Sequence, residues 1–180
     1  MHIKAGALMS IRVEVYTSDG IASGILPRDG ALRDVLETGT LALDGVAWQG
    51  LGTSMREDVQ SISIQSDDVL VAVGDDDPGL FVHAAWHHVR LESGPYTVEG
   101  DLPTLPGFDP GRALTRPSGE FLQLRDVSIS VTGGPDPGVA VGPHTLVNRY
   151  TVERIQADLI LGFFFPGAII EAIDPNPEPV

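Results

Sequence analysis

The chain has 180 residues, 42% of them apolar, and no cysteine, which excludes disulfides, thiolate metal sites and a cysteine nucleophile. Its 25 acidic residues against 11 basic ones leave a formal net charge of −14, so phosphate backbones and anionic membranes repel it and nucleic acid is not an expected partner. The 21 Gly and 14 Pro follow no period, which excludes a collagen-like chain and points to many short strands joined by tight turns.

Residues 1–10 carry one lysine and no long apolar run. They read as an N-terminal extension without a signal peptide, and the lack of cysteine fits a cytoplasmic location. Ile11, Val13 and Val15 then alternate with Arg12, Glu14 and Tyr16, the pattern of a half-buried strand. Asp19-Gly20 is a turn, residues 21–26 return, and Pro27 ends that strand. Asp29 can cap a short helix with Leu32, Val35 and Leu36 on one face, closed by Gly39. Leu41 and Leu43 open a strand running toward Trp48. Residues 61–64 alternate strictly, and residues 69–73 are a continuous apolar run expected to be a buried strand.

The pattern then restarts. Val89 and Leu91 alternate with Arg90 and Glu92, Gly94-Pro95 marks a turn, residues 96–102 return, and Pro103 ends them. Asp109-Pro110 reads as a second helix start, with Leu114 on the helix and Pro117 as its stop. Leu122 and Leu124 lead into Val127, Ile129 and Val131, and Leu146 and Val147 open the last strand region. The triplets Asp77-Pro78-Gly79, Asp109-Pro110-Gly111 and Asp136-Pro137-Gly138 have turn chemistry.

The two halves can be overlaid as diverged copies of a unit of about 75 residues. Gly24-Ile25-Leu26-Pro27 matches Gly100-Asp101-Leu102-Pro103. Leu41-Ala42-Leu43-Asp44-Gly45-Val46 matches Leu122-Gln123-Leu124-Arg125-Asp126-Val127. Pro27 to Leu41 is 14 positions and Pro103 to Leu122 is 19, so the second copy carries five extra residues, placed at 104–108. The resulting organisation is an extension at 1–10, one β unit at 11–86, a second at 87–170, and a Pro-rich disordered tail at 171–180. The expected fold is mostly β: two tandem small β-barrel or β-sandwich units, each with one short helix.

Tyr96-Thr97-Val98-Glu99-Gly100, residues 121–127 and Leu146-Val147-Asn148-Arg149 resemble an uncharacterised bacterial family of small β-barrel domains, loosely Sm-like. The first half resembles it through residues 21–26 and 41–46, without the Asn-Arg pair. The resemblance implies a fold more than an activity. Sm-like barrels often bind RNA or self-assemble into rings, and the net charge of −14 opposes the RNA role.

Few residues offer chemistry. His83, His87 and His88 are weak metal candidates. On a strand, His83 and His87 would share a face about 13 Å apart, too far for one ion, whereas on a helix they could share a zinc. The neighbouring β pattern favours the strand and ordinary packed or surface histidines. Asp75, Asp76 and Asp77 read as a solvated loop without EF-hand spacing. Asn148-Arg149 could bind a carboxylate or pair with Glu153 inside the fold. No nucleophile elbow, phosphate loop or dinucleotide fingerprint is present, so no catalytic residue and no cofactor are expected.

Phe163, Phe164 and Phe165 are half of the six phenylalanines. They read either as a buried final strand or as an aromatic patch for a partner or a second subunit, at an interface between the units or between chains. The expected function is a non-enzymatic binding or assembly module acting through protein–protein contacts, with a protein partner or homo-oligomer and no membrane insertion. A small-molecule or metal-binding regulator with a pocket between the halves is the alternative, and an enzyme of unfamiliar type the third.

Overall fold

Branched side chains at alternate positions drive one face of an extended segment into an apolar interior. In the computed structural model, which describes residues 10–27, 30–77, 79, 84–104, 119–132, 139–140, 144–157 and 164–172, the first such segment is strand β1 (Ile11–Tyr16). Strand β2 (Gly20–Leu26) returns antiparallel, with Tyr16 opposite Ile21. Helix α1 (Leu32–Glu37) buries Leu32, Val35 and Leu36, and Gly39 at φ +93° takes the chain out of it. The Asp29 cap lies outside the described residues. The start of α1 is held instead by Asp76, whose Oδ2 accepts the Leu32 N–H at 2.9 Å.

Strands β3 (Thr40–Gly50), β4 (Arg56–Gln65) and β5 (Val71–Gly74) complete the first half. The second contains β6 (Ala85–Ser93), β7 (Tyr96–Thr104), β8 (Phe121–Val131), β9 (Val139–Ala140), β10 (His144–Asn148), β11 (Val152–Ala157) and β12 (Ile169–Ala172). β6 begins ahead of the expected boundary at residue 87. Pro103 does not end β7, which continues to Thr104, and β12 takes in the first residues of the expected disordered tail. The second helix, expected near residues 109–114, lies outside the described residues, so α1 is the α-helix among those described.

The described strands form one sheet in the order β12-β11-β6-β7-β8-β10-β5-β1-β2-β3-β4, with β9 also on β8. The sheet does not close, which corrects the expectation of closed small barrels. A barrel needs its last free edge to pair with its first. Here β5 gives one edge to β1 and the other to β10 of the second half, and β4 is left at the margin.

The ladders within the halves run in a common order. The first is β5-β1-β2-β3-β4, and the second is β11-β6-β7-β8 with β9 and β10 along the far edge of β8. Both shift register at a glycine. β2 and β3 shift between Ser23 and Ile25, and β7 and β8 shift between Glu99 and Asp101. A Cβ on Gly24 would meet Val46 Cγ2 at 3.0 Å and the Asp44 carbonyl at 3.1 Å. One on Gly100 would meet Val127 Cγ2 at 2.9 Å and the Arg125 carbonyl at 3.0 Å. Beside each shift the partner strand turns left-handed, at Gly45 (φ +57°) and at Asp126 (φ +51°).

Two apolar clusters fill the molecule. One gathers β1, β2, α1 and β3 with Phe121 and Leu146. The other gathers β6, β7, β8 and β11 with Tyr16, Leu70, Val71 and Val73. β5 stands between them: Ala72 faces the first cluster, and Val71 and Val73 face the second. On β10, Leu146 and Val147 divide in the same way. A strand buried on both faces has no reason to alternate, which accounts for the continuous apolar run at residues 69–73. Among the described residues no helix is long and apolar enough to cross a membrane.

Candidate functional site

The face of β1 opposite Ile11, Val13 and Val15 carries Arg12, Glu14 and Tyr16. Pairing with β2 and β5 turns these into three short rows. Arg12 lies beside Ile25, Glu14 between Ser23 and Val73, and Tyr16 between Ile21 and Val71. The second half closes over the Tyr16 end with Tyr96, Ile129 and Val131, leaving a groove of about 770 Å³ that both halves line. Ile25 (42% exposed) and Val131 (49%) form apolar walls open to solvent.

At the floor, the Glu14 carboxylate accepts two hydroxyls. Tyr16 donates to Oε1, and Ser23 donates to Oε2 at 3.1 Å. The Tyr16 ring meets Tyr96 edge to face, with centroids 5.2 Å apart at 87°. The Tyr96 hydroxyl donates to the Gly20 carbonyl at 3.3 Å. Burial, reinforced by the Glu14 carboxylate, pushes the Tyr16 phenol well above its ordinary range. Burial and the charge of Asp19 push Tyr96 up to about 12. Both are therefore neutral donors near neutral pH and cannot serve as bases there.

Two arginines line the rim. The Arg12 backbone N–H donates to Asp75 Oδ1 at 2.8 Å, and Arg56 Nε donates to Gln49 Oε1 at 3.4 Å. Arg90, Arg125 and Arg154 are paired with acids, whereas neither Arg12 nor Arg56 forms an ion pair with a described residue. Glu14 likewise has no cationic partner among the described residues.

The residues singled out from sequence lie elsewhere. His83 and Phe163 are outside the described residues. His87 and His88 are neighbours on β6 and so point to opposite faces. His87 Nε2 lies 2.9 Å from Thr104 Oγ1, and His88 Nδ1 lies 3.3 Å from Asp101 Oδ1. Among the described residues no three His, Asp or Glu side chains gather as metal ligands.

The loop expected to be solvated at Asp75–Asp77 is partly structural. Asp76 Oδ1 accepts from the buried His144 Nδ1 at 2.6 Å while its Oδ2 holds α1, and Asp77 accepts the Gly79 N–H at 2.9 Å. Asn148 and Arg149 are buried. Asn148 Oδ1 accepts the Tyr150 N–H, and the Arg149 guanidinium lies over the Tyr150 ring and donates to the Gly119 carbonyl at 3.5 Å. Phe164 and Phe165 are buried in the cluster that joins Tyr16, Leu70, Val71 and Val73 to the second half.

Sequence reasoning missed the groove. Glu14 and Tyr16 read as the solvent face of a strand. The available signal was a carboxylate and a phenol two residues apart, but the Ser23 partner and the Tyr96 wall come from other strands. Comparison with family models, with characterised proteins and with solved structures finds no match to this chain.

Proposed function

We propose that this chain is a non-enzymatic assembly module acting through protein–protein contacts, built from two diverged copies of one strand unit of the small, loosely Sm-like kind. The two-copy reading is supported by the shared strand order and by the matched bends at Gly24 and Gly100. The observation that carries the assembly reading is the way the halves meet. β10, which occupies on β8 the place that β4 occupies on β3, gives its outer edge to β5. β4 has the same relation to its own half, and its outer edge pairs with nothing among the described residues.

An unpaired strand edge is a template for another strand. The partner this reading commits to is a second copy of the chain, because the same edge already engages a second unit within one chain. A cytoplasmic setting and the exclusion of nucleic acid, the latter from the net charge of −14, belong to the same proposal.

Size-exclusion chromatography with light scattering tests it. The wild-type chain forms a defined oligomer, and Val59→Lys with Ser61→Lys, both at exposed positions of β4, shifts it to monomer. A wild-type chain that stays monomeric at every concentration, or an oligomer indifferent to both lysines, overturns the reading.

A further inference from the structure

We propose that the groove between the halves binds a small amphipathic primary amine, with the ammonium on Glu14 and the hydrocarbon body along Ile25 and Val131. This goes beyond the assembly reading and does not depend on it. The first support is the state of Glu14. Tyr16 and Ser23 each hold one carboxylate oxygen, so the group is fixed in direction and keeps acceptor sites open toward the groove. It is half-buried and lacks a cationic partner among the described residues. A fixed, partly desolvated charge gains more from an incoming counter-charge than a solvated one does.

The second support is the lining. Tyr16 and Tyr96, both buried and packed edge to face, back the carboxylate with apolar rings that keep water from its inner side. Ile25 and Val131 stay exposed at the mouth and offer apolar contact to a ligand body. The groove volume of about 770 Å³ lies within the range of small-molecule sites.

The other charged groups limit the ligand further. Arg12 and Arg56 stand at the rim, with Asp75 bonded to the Arg12 backbone. Two guanidinium groups there disfavour a second positive charge, so the ligand carries a single ammonium. The net charge of −14 draws such a cation toward the protein.

The experiment is an NMR and calorimetric titration of the whole chain with three probes of one shape: phenethylamine, phenylethanol and phenylpropionate. The expected result is saturable binding of the amine, with shifts confined to groove residues. The alcohol and the acid should bind at least about tenfold more weakly, as loss of a hydrogen bond to a charged group implies. Glu14→Gln removes the charge, keeps a carbonyl acceptor for one of the two hydroxyls and turns its amide NH2 to the other, which can rotate to accept, and it should weaken amine binding about tenfold with the fold retained. Ile25→Lys, at an exposed position, places a cation at the mouth without disturbing the floor and should weaken it similarly. Arg12→Gln, which removes a positive charge from the rim, should tighten amine binding. Tighter binding of the acid than the amine, unchanged amine affinity in both Glu14→Gln and Ile25→Lys, or no saturable amine binding at the groove overturns the proposal.

Discussion

The bend in β2–β3 and the bend in β7–β8 meet the same geometric demand with different residues. At both crossings one strand passes so close to its partner that a Cβ would lie about 3 Å from a valine methyl and a carbonyl oxygen, and both positions are glycine, Gly24 and Gly100. The neighbouring left-handed position is glycine in the first half and aspartate in the second, Gly45 and Asp126. A Cβ on Gly45 would meet nothing within 4 Å. Close approach of backbones therefore admits only glycine, whereas a left-handed φ in open space admits aspartate at a modest energetic cost.

The largest expected effect tests whether the halves share one stability. Leu26 on β2 and Leu102 on β7 belong to different apolar clusters and are each 1% exposed. Each Leu→Ala change should cost about 2–5 kcal/mol. Because β5 and β10 are buried between the two clusters, both variants should still melt in a single transition, read by calorimetry. Two separated transitions in either one would break the comparison, showing halves that unfold alone.

Next come the close approaches. Gly24→Ala and Gly100→Ala should each cost about 1–3 kcal/mol, since the atoms in the way include a backbone carbonyl that cannot move aside. Chemical denaturation would measure both, and a neutral result in one alone would mean that the bends are not equivalent.

The left-handed pair should respond with opposite signs. Asp126→Gly should stabilise and Gly45→Asp should destabilise, each by about 1 kcal/mol or less. Equal signs would show that the local surroundings, such as the exposed Arg125–Asp126 contact at 3.5 Å, outweigh the backbone term.

The two phenols make stability depend on pH only in alkali. Tyr16 from the first half and Tyr96 from the second stay protonated in the folded chain above their ordinary value of 10.0. A raised folded pKa means that the unfolded chain loses its proton first. This stability is complete below pH 10 and is lost as pH rises, for Tyr96 through about 12. Denaturation midpoints should fall across that window, and Tyr96→Phe should flatten part of the slope.

Much of the strand content was legible in local pattern. Alternation marked β1 and the end of β4, and the spacing of Leu32, Val35 and Leu36 marked the buried face of α1. The glycines at residues 24, 45 and 100 were visible as punctuation because turn and bend chemistry is written in single residues. The parallel strand β12, the open sheet and the continuation of β7 past Pro103 were not readable, since each depends on which edge another strand occupies.

The candidate groove divides along the same line. Sequence alone determined that β1 would have one buried face and one polar face, because period-two alternation is a local property of the chain. It could not place Ser23, Val73 and Tyr96 around Glu14, because those contacts join residues from four strands in both halves. Nor could it decide that the Tyr16 end of the polar face would be covered and its ring buried in the second cluster. That was settled only when β10 paired with β5 and brought the second half over the end of β1, so that burying the phenol ring outweighed leaving it in water.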